Sequence, residues 1–237
     1  MPHSTCLKLN MPRSLVILSG GQDSTTCLYW ALARFGRDRV TTLTFDYGQR
    51  HRLELDCATQ VAASTGVAHT VLPIDTFAAL GGSALTDRGI AVQPEPDPKT
   101  QLPNTFVPGR NLIFITFAAA YAYSHGIQHL VAGMAQTDYS GYPDCRQDTL
   151  DALMQAIRLG MAFDFTLHTP LMFKSKKETV ELARELGALA ALAYTHTCYN
   201  DRQPPCGECP ACILRAKGFA EAGIADPLVE RFKGSRA

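Results

Sequence analysis

Residues 14–25 read SLVILSGGQDST, and the fold turns on this stretch. Leu15 to Ser19 is a short apolar run that stops at Gly20-Gly21, after which Cys27, Leu28, Ala31, Leu32 and Phe35 recur at helical spacing. The order is strand, glycine turn, helix. Such a unit opens a parallel sheet, and its carboxyl end is where open sheets bind ligands. Glycines let the backbone approach a ligand closely, while the exposed N–H groups and the helix dipole favour an anion. The hydroxyls of Ser19, Ser24 and Thr25 add hydrogen bonds to phosphate oxygens. Two other phosphate loops are excluded: no Lys-Ser/Thr pair follows the last glycine, as in Walker A, and the three spaced glycines of the dinucleotide loop are missing. In a plain strand-to-helix turn Asp23 is only a first-turn carboxylate. Beside phosphates it repels them unless Mg²⁺ intervenes, which gives it a metal-organising or loop-holding role.

The alternation continues outward. Val40 to Phe45 reads as a second strand, Gln49 to Thr65 as a helix and Thr70 to Ile74 as a third strand. From Gly81 to Pro108 the chain carries Pro94, Pro96, Pro98 and Pro103 without sustained periodicity, which predicts a long loop or a lid. Asn111 to Ser124 is apolar nearly all round, as a buried helix is. Gln128 to Gly133 makes a fourth strand, Gln147 to about Met161 a helix, and Phe165 to Met172 the last strand. Ser175 and Glu178 have the spacing of a capping box opening a helix to Leu186. The pattern predicts an α/β fold: a doubly wound, Rossmann-like parallel sheet of about five strands, closed by a C-terminal metal-binding loop and helix. Residues 1–13 read as a loose extension, 14–194 as a nucleotide-binding domain, and 195–237 as a metal-binding segment packed on the same domain.

The 237 residues are 46% hydrophobic and 19% charged, the composition of an ordinary folded domain, which excludes disordered and collagenous classes. A chain this long buries roughly 70–75% of its unfolded surface, so its core needs neither disulfides nor metal, and any metal site has a local job. Lys plus Arg and Asp plus Glu are both 22, so no net field draws the molecule onto nucleic acid or anionic lipid. Direct nucleic-acid binding is therefore not expected, although a local basic groove stays open. No stretch approaches the ~20 apolar residues of a membrane helix, and residues 1–14 lack the apolar core of a signal peptide. The expected location is the cytoplasm, without membrane contact.

Cys6, Cys27, Cys57 and Cys145 are scattered, whereas Cys198, Cys206, Cys209 and Cys212 cluster. The cluster offers four thiolates within fifteen residues, with Gly207 and Pro210 bending the loop so that sulfurs converge. Four soft ligands suit tetrahedral zinc, and with every position taken by protein the role is structural. An iron–sulfur cluster and unligated redox thiols remain as alternatives.

Two polar stretches lie at strand carboxyl ends: FDYGQRH (residues 45–51) and QTDYSGYPDCR (residues 136–146). Carboxylates, tyrosines and an arginine beside a nucleotide site can clamp a planar polar heterocycle. They also suit turns and caps, and Asp144 before Gln147 fits a capping pattern. Arg110, in VPGRN, can bind a carboxylate bidentately. Lys176 stands in a helix's first turn, where the macrodipole disfavours a cation unless an anion binds there, so it is a candidate phosphate ligand. Lys174 and Lys177 read as solvated, and His51, His168 and His196 as structural.

With SGGQDS, FDYGQRH, VPGRN, DYSGYPDCR, TPLMFKSKKET and TCY followed by Cys-x₂-Cys-x₂-Cys in this order, the chain resembles the 7-cyano-7-deazaguanine synthase family of queuosine biosynthesis, within the PP-loop ATP pyrophosphatase superfamily. The likeness spans about Ser14 to Pro227. SGGQDS alone marks the superfamily; DYSGYPDCR with the spaced cysteines is far more specific. The resemblance implies an adenine nucleotide alpha hydrolase-like fold and a carbon–nitrogen ligase that turns 7-carboxy-7-deazaguanine, ammonia and ATP into 7-cyano-7-deazaguanine (preQ0). It further implies Mg²⁺ with ATP, one structural zinc per chain and a homodimer. PP-loop logic implies attack at the α-phosphate with release of AMP and pyrophosphate, while the family's net reaction is often written with ADP and phosphate. By matched position, Ser19, Gly20, Gly21, Gln22, Asp23 and Ser24 would bind ATP, with Asp23 and Lys176 catalytic. Arg110, Asp138, Tyr139 and Asp144 would hold the deazapurine, and Cys198, Cys206, Cys209 and Cys212 the zinc. The departures are mild: Phe173 stands where the family commonly has Trp, Lys174 and Lys177 add charge, and residues 1–13 have no counterpart. A tRNA thiolase or lysidine synthetase shares the adenylating loop but needs a basic RNA-binding face, against which the neutral charge argues. A non-catalytic nucleotide-binding module is disfavoured by the polar groups gathered at one edge.

Overall fold

The computed structural model describes residues 12–87, 89–93, 95–137 and 142–233; most of the expected N-terminal extension lies outside them. Five strands, β1 (Ser14–Ile17), β2 (Val40–Asp46), β3 (Ala68–Pro73), β4 (His129–Val131) and β5 (Thr166–His168), form one sheet in the order β3-β2-β1-β4-β5. Every neighbouring pair is parallel. The helices are α1 (Gln22–Phe35), α2 (Leu53–Thr65), α3 (Thr76–Leu80), α4 (Arg110–Ser124), α5 (Gln147–Met161), α6 (Lys176–Glu185), α7 (Leu189–Leu192), α8 (Pro210–Glu221) and α9 (Pro227–Lys233). The predicted doubly wound α/β sheet is what the chain forms.

Successive side chains of a strand point to opposite faces, and in β1 both faces are covered. Leu15 packs with Ile115 and Ala118 of α4 and Leu150 and Met154 of α5, whereas Val16 and Leu18 pack with Leu28 of α1 and Val61 of α2. The apolar run therefore shows no alternation. A smaller core joins Val180 and Ala183 of α6 to Phe219 of α8, tying the C-terminal helices to the same body.

The structure departs from the sequence-based expectations at several edges. The helix predicted from Gln49 begins at Leu53, because Gly48 takes φ +74° and the Gln49 side chain folds back on the chain: its Oε1 accepts from Tyr47 N at 2.9 Å. The last strand stops at His168 instead of Met172; Pro170 has no N–H for a ladder, and Met172 N turns back to Thr169 O at 3.1 Å. α4 is not buried all round, since Phe117 and Tyr123 face outward while Ile115, Ala118, Ala119 and Ala122 face the sheet. The segment from Gly81 to Pro108 holds no helix or strand among its described residues, and its ends are sewn down: Arg50 N donates to Leu85 O at 2.7 Å, and Ser83, Ala84, Leu85, Thr105 and Val107 are buried.

The capping box of α6 forms as predicted. Ser175 Oγ accepts from Glu178 N at 3.3 Å, and Glu178 Oε2 accepts from Ser175 N at 2.7 Å. The same first turn is pressed by α8, where a Cβ on Gly218 would stand 2.7 Å from Lys176 Cβ. A mid-helix glycine normally costs about 1 kcal/mol relative to alanine, so its presence reflects this close approach. Gly218→Ala is accordingly expected to destabilise the protein by roughly 1–3 kcal/mol in urea melts, overpacking outweighing the helix-propensity gain; a stabilised variant would show that the two helices yield freely.

At the β5 edge His129 Nδ1 and His168 Nε2 lie 3.0 Å apart, beneath the rings of Trp30 and Phe35 and near Arg34. Burial, then His129, then Arg34 hold His168 down at about 4. The unfolded chain takes up that proton at higher pH than the folded one, so this contribution is complete above about pH 6.5 and declines as pH falls toward 4. Denaturation midpoints measured across that window are expected to fall with pH in the native protein and less steeply in His168→Gln.

Candidate active site

The strand order reverses direction at β1, which lies between β2 and β4, and the crevice outside the carboxyl ends of β1 and β4 is the ligand position of such a sheet. The glycine loop sits there. Gly20 has φ +86°, and a Cβ on it would meet the Glu54 carbonyl oxygen of α2 at 2.2 Å, so only glycine fits. From the other side, a Cβ on Gly133, just past β4, would come within 3.1 Å of Ser24 N. The hydroxyls read as phosphate ligands also brace the loop: Ser24 Oγ accepts from Ser19 N at 3.1 Å, and Ser19 Oγ accepts from Gly21 N at 3.3 Å. No side chain caps the N-terminus of α1. Its first-turn N–H groups are thus left without a side-chain acceptor, as an anion site requires.

Asp23 in the first turn of α1 and Lys176 in the first turn of α6 meet across the crevice, Nζ to Oδ2 at 2.6 Å. The ion pair therefore holds the lysine beside the glycine loop. The other Asp23 oxygen, Oδ1, is buried without a hydrogen-bond partner, as are Gln22 Nε2, Thr25 Oγ1 and Thr197 Oγ1. Leaving such groups unmet costs about 1–3 kcal/mol each, and three of the four belong to residues that line the crevice, Gln22, Asp23 and Thr197, which marks a place built to be filled.

The crevice continues into a cavity of about 290 Å³ whose far end is aromatic. Arg110 opens α4 and donates from Nη1 to the Tyr47 hydroxyl at 3.2 Å; its guanidinium lies 5.7 Å from the ring centres of both Tyr47 and Tyr142. Tyr199 closes the same wall, and burial pushes the phenols of Tyr47 and Tyr199 up, so both remain neutral hydroxyls. Thr105 Oγ1 and the Tyr142 hydroxyl share a 2.7 Å hydrogen bond, tying the 81–108 segment to this wall. Among the described residues Arg110 makes no ion pair, and its Nε is buried without a partner. A planar, anionic guest fits such a slot. Cys145 also lines it, but burial, followed by Asp144, pushes its thiol up to about 12, which leaves it unsuited to nucleophilic work.

Of the residues predicted to hold the heterocycle, only Arg110 is placed on the cavity wall. Asp138 and Tyr139 lie outside the described residues. Asp144 is buried beneath the wall, where Oδ2 accepts from Asn111 N at 3.0 Å; it caps α4 from across the chain and not α5, whose N-cap Arg146 has no side-chain cap. This places Asp144 as the support of the helix that carries Arg110. Sequence reasoning named no individual role for Gly133, Gly218, Tyr142 or Thr197. A glycine within α8 was a legible sign of close packing, and Tyr142 lay in a polar stretch whose tyrosines were read as a group; Gly133 and Thr197 show no local signal.

Beside the glycine loop, the sulfurs of Cys198, Cys206, Cys209 and Cys212 lie within 4.8 Å of one another. Zn–S bonds of ~2.3 Å place tetrahedral sulfurs ~3.8 Å apart, and Cys206 and Cys212 are already 3.9 Å apart. Cys206 N points to Cys198 Sγ at 3.5 Å and Cys209 N to Cys206 Sγ at 3.3 Å, contacts that stabilise thiolate charge. The donor set fits the group, and these four residues could hold a metal such as zinc. The histidines are engaged structurally: His51 Nε2 with Glu54 at 3.1 Å, His196 Nε2 with Cys198 O at 3.0 Å, and His168 with His129. Among the described residues no helix is long and apolar enough to cross a membrane.

Comparison with known proteins adds a family to this geometry. The family model "Queuosine biosynthesis protein QueC" matches residues 13–223. The 7-cyano-7-deazaguanine synthase of Chromobacterium violaceum is 68% identical over 92% of this chain and 94% of its own. That of Laribacter hongkongensis is 64% identical over 93% and 96%. Among solved structures, a predicted subunit of tRNA methyltransferase from Methanocaldococcus jannaschii covers 73% of this chain and 75% of its own, with a TM-score of 0.48 at 19% identity.

Proposed function

The chain belongs to the queuosine biosynthesis protein QueC family, and on that premise we propose that it is an ATP-dependent ligase converting 7-carboxy-7-deazaguanine and ammonia to 7-cyano-7-deazaguanine. The observation that carries the reading is one continuous cavity with a phosphate-type end at Ser19–Ser24 and Lys176 and an aromatic, cationic end at Tyr47, Arg110, Tyr142 and Tyr199. The two ends suit the two substrates.

A carboxylate is a poor acyl donor to ammonia because oxide is a poor leaving group, so ATP must first convert it to a mixed anhydride. Glycine-loop N–H groups and the hydroxyls of Ser19 and Ser24 hold the phosphates, with Gln22 Nε2 as a further donor. Lys176 meets the charge that develops as the α-phosphate is attacked, and Asp23 aims it. Asp23, through its unpartnered Oδ1, would hold a Mg²⁺ ion accompanying ATP, which would offset phosphate charge. Arg110 binds the substrate's carboxylate while the tyrosine rings cover the heterocycle, with Asp138 and Tyr139 assigned to its edge by their sequence position alone. Ammonia displaces the activated oxygen to give the amide, and a second activation removes the amide oxygen to leave the nitrile. The same enclosure excludes water, which would otherwise hydrolyse the anhydride. The zinc held by the four cysteines takes no part in the chemical steps, the 195–237 segment packs as part of the 14–194 domain, and the enzyme works as a cytoplasmic homodimer with no direct contact with nucleic acid.

Purified protein incubated with 7-carboxy-7-deazaguanine, ammonium, Mg²⁺ and ATP is expected to yield nitrile only when ATP is present, with AMP and pyrophosphate as nucleotide products. ATP binding without product would transfer the reading to another acyl acceptor, tRNA first. Within that assay Arg110→Ala is expected to raise the KM for the acid about 10- to 100-fold and the KM for ATP little, as loss of a charge-assisted contact predicts; equal effects on both would remove the carboxylate contact.

A further inference from the structure

We propose that the four-cysteine site and the glycine loop are one thermodynamic unit, coupled through residues 195–199, with His196 as the positioning residue between them. The inference rests on the nucleotide reading above. The path is short. Cys198 contributes one of the clustered sulfurs, and its carbonyl oxygen lies 3.0 Å from His196 Nε2. A carbonyl only accepts, so Nε2 carries the proton and donates. The backbone N–H of the same histidine donates to the Gly20 carbonyl at 2.9 Å. A peptide unit is planar, with its C=O and N–H pointing in opposite directions, so holding the Gly20 carbonyl aims the Gly21 N–H back into the loop. That N–H meets Ser19 Oγ at 3.3 Å. The next residue, Thr197, lines the cavity with a buried, unpartnered Oγ1, and its methyl lies 3.8 Å from where a Gly21 Cβ would stand. His196 thus fixes one wall of the anion site from outside, and Thr197 completes it.

Both ends of the segment are clamped. Arg215, three residues beyond Cys212 in α8, donates from Nη1 to Thr195 Oγ1 at 2.8 Å and pairs bidentately with Asp226 at 2.7 and 2.8 Å. At the other end Asp201 N donates to the Cys198 carbonyl at 3.0 Å. The same Cys198 contributes its sulfur to the cluster, so a metal bound there would hold this end of the segment through a ligand bond. Metal in the cysteines therefore pre-orders His196 and Thr197 against the loop. Coupling is reciprocal: an anion that favours the ordered loop slows metal loss by the factor with which metal tightens the anion.

The test uses the full-length, metal-loaded protein and α,β-methylene ATP as probe. Metal transfer to excess chromogenic chelator is timed with and without the probe, and probe binding is measured by calorimetry for metal-loaded and metal-stripped protein of equal helical content by circular dichroism. The expected results are metal release slowed about 5- to 100-fold by the probe and affinity lowered by a comparable factor on stripping. His196→Ala, which leaves all four sulfurs in place, is expected to keep the metal but reduce the coupling below about twofold, and His196→Gln, with an N–H at the same reach, to restore part of it. Tight probe binding that is equal with and without metal, together with unchanged release, overturns the coupling alone. Failure of the metal-loaded protein to bind the probe overturns the nucleotide reading, and the coupling with it.

Discussion

Replacing Lys176 by alanine is expected to slow nucleotide cleavage in a single turnover about 100- to 1,000-fold, the usual consequence of removing one aimed electrostatic contact from a transition state. The effect should be large because Lys176 is placed by two helices at once. Its backbone opens α6 behind a closed capping box, and its Nζ is drawn to Asp23 at 2.6 Å. The change is also clean. Alanine retains the Cβ against which Gly218 packs, so α8 keeps its seat. Both partners are mostly enclosed, 12% and 30% exposed, and Asp23 left alone there costs about 1–3 kcal/mol, less than unfolds an ordinary domain. Asp23→Asn is expected to lower the same rate less, about 10- to 100-fold, because the lysine remains but is no longer aimed. Rates for Lys176→Ala within threefold of the native protein would remove Lys176 from the chemistry.

Cys206→Ser is expected to reduce bound metal from one equivalent to near zero, since a serine hydroxyl is a hard, protonated ligand in a site built for thiolates. Cys206 is the most accessible of the four, so its removal disturbs packing least and isolates the metal's contribution. The sheet should survive. Its two cores, around Leu15 and around Val16, contain no cysteine of the cluster. Hydrogen exchange is therefore expected to accelerate by at least tenfold in residues 195–215 while β1 and β2 keep their protection, as local opening without global unfolding predicts. The melting midpoint should fall as well, because binding energy at a closed site is folding energy. Unchanged metal content would dismiss the four-cysteine site.

Much of this molecule was legible before any coordinates. The start of α5 at Gln147, the capping box at Ser175 and the strand–glycine–helix unit at Ser14 come from signals carried by a few adjacent residues. The misplaced edges have a common cause. Gln49 looked helical because nothing local announces that its amide bonds the backbone of Tyr47, and Met172 looked like strand because the apolar run on either side of Pro170 outweighed the break that the proline makes. Asp144 shows the limit most clearly. Its neighbours suggested a cap for the next helix, yet its carboxylate serves α4, thirty-three residues back in the chain.

What the sequence by itself determined is therefore the class of the fold, the strand–glycine–helix loop and the cluster of four cysteines, because periodicity, glycine and closely spaced cysteines act through near neighbours. Only the tertiary structure decided which distant groups meet. Asp23 and Lys176 are 153 residues apart and touch because the helices after β1 and β5 both begin at the same sheet edge. Tyr47, Arg110 and Tyr142 come from three separate crossovers and Tyr199 from the segment after the last strand, and His196 reaches Gly20 only when that last segment folds over the first loop. Such convergence is set by the direction and packing of whole elements, which no run of adjacent residues encodes.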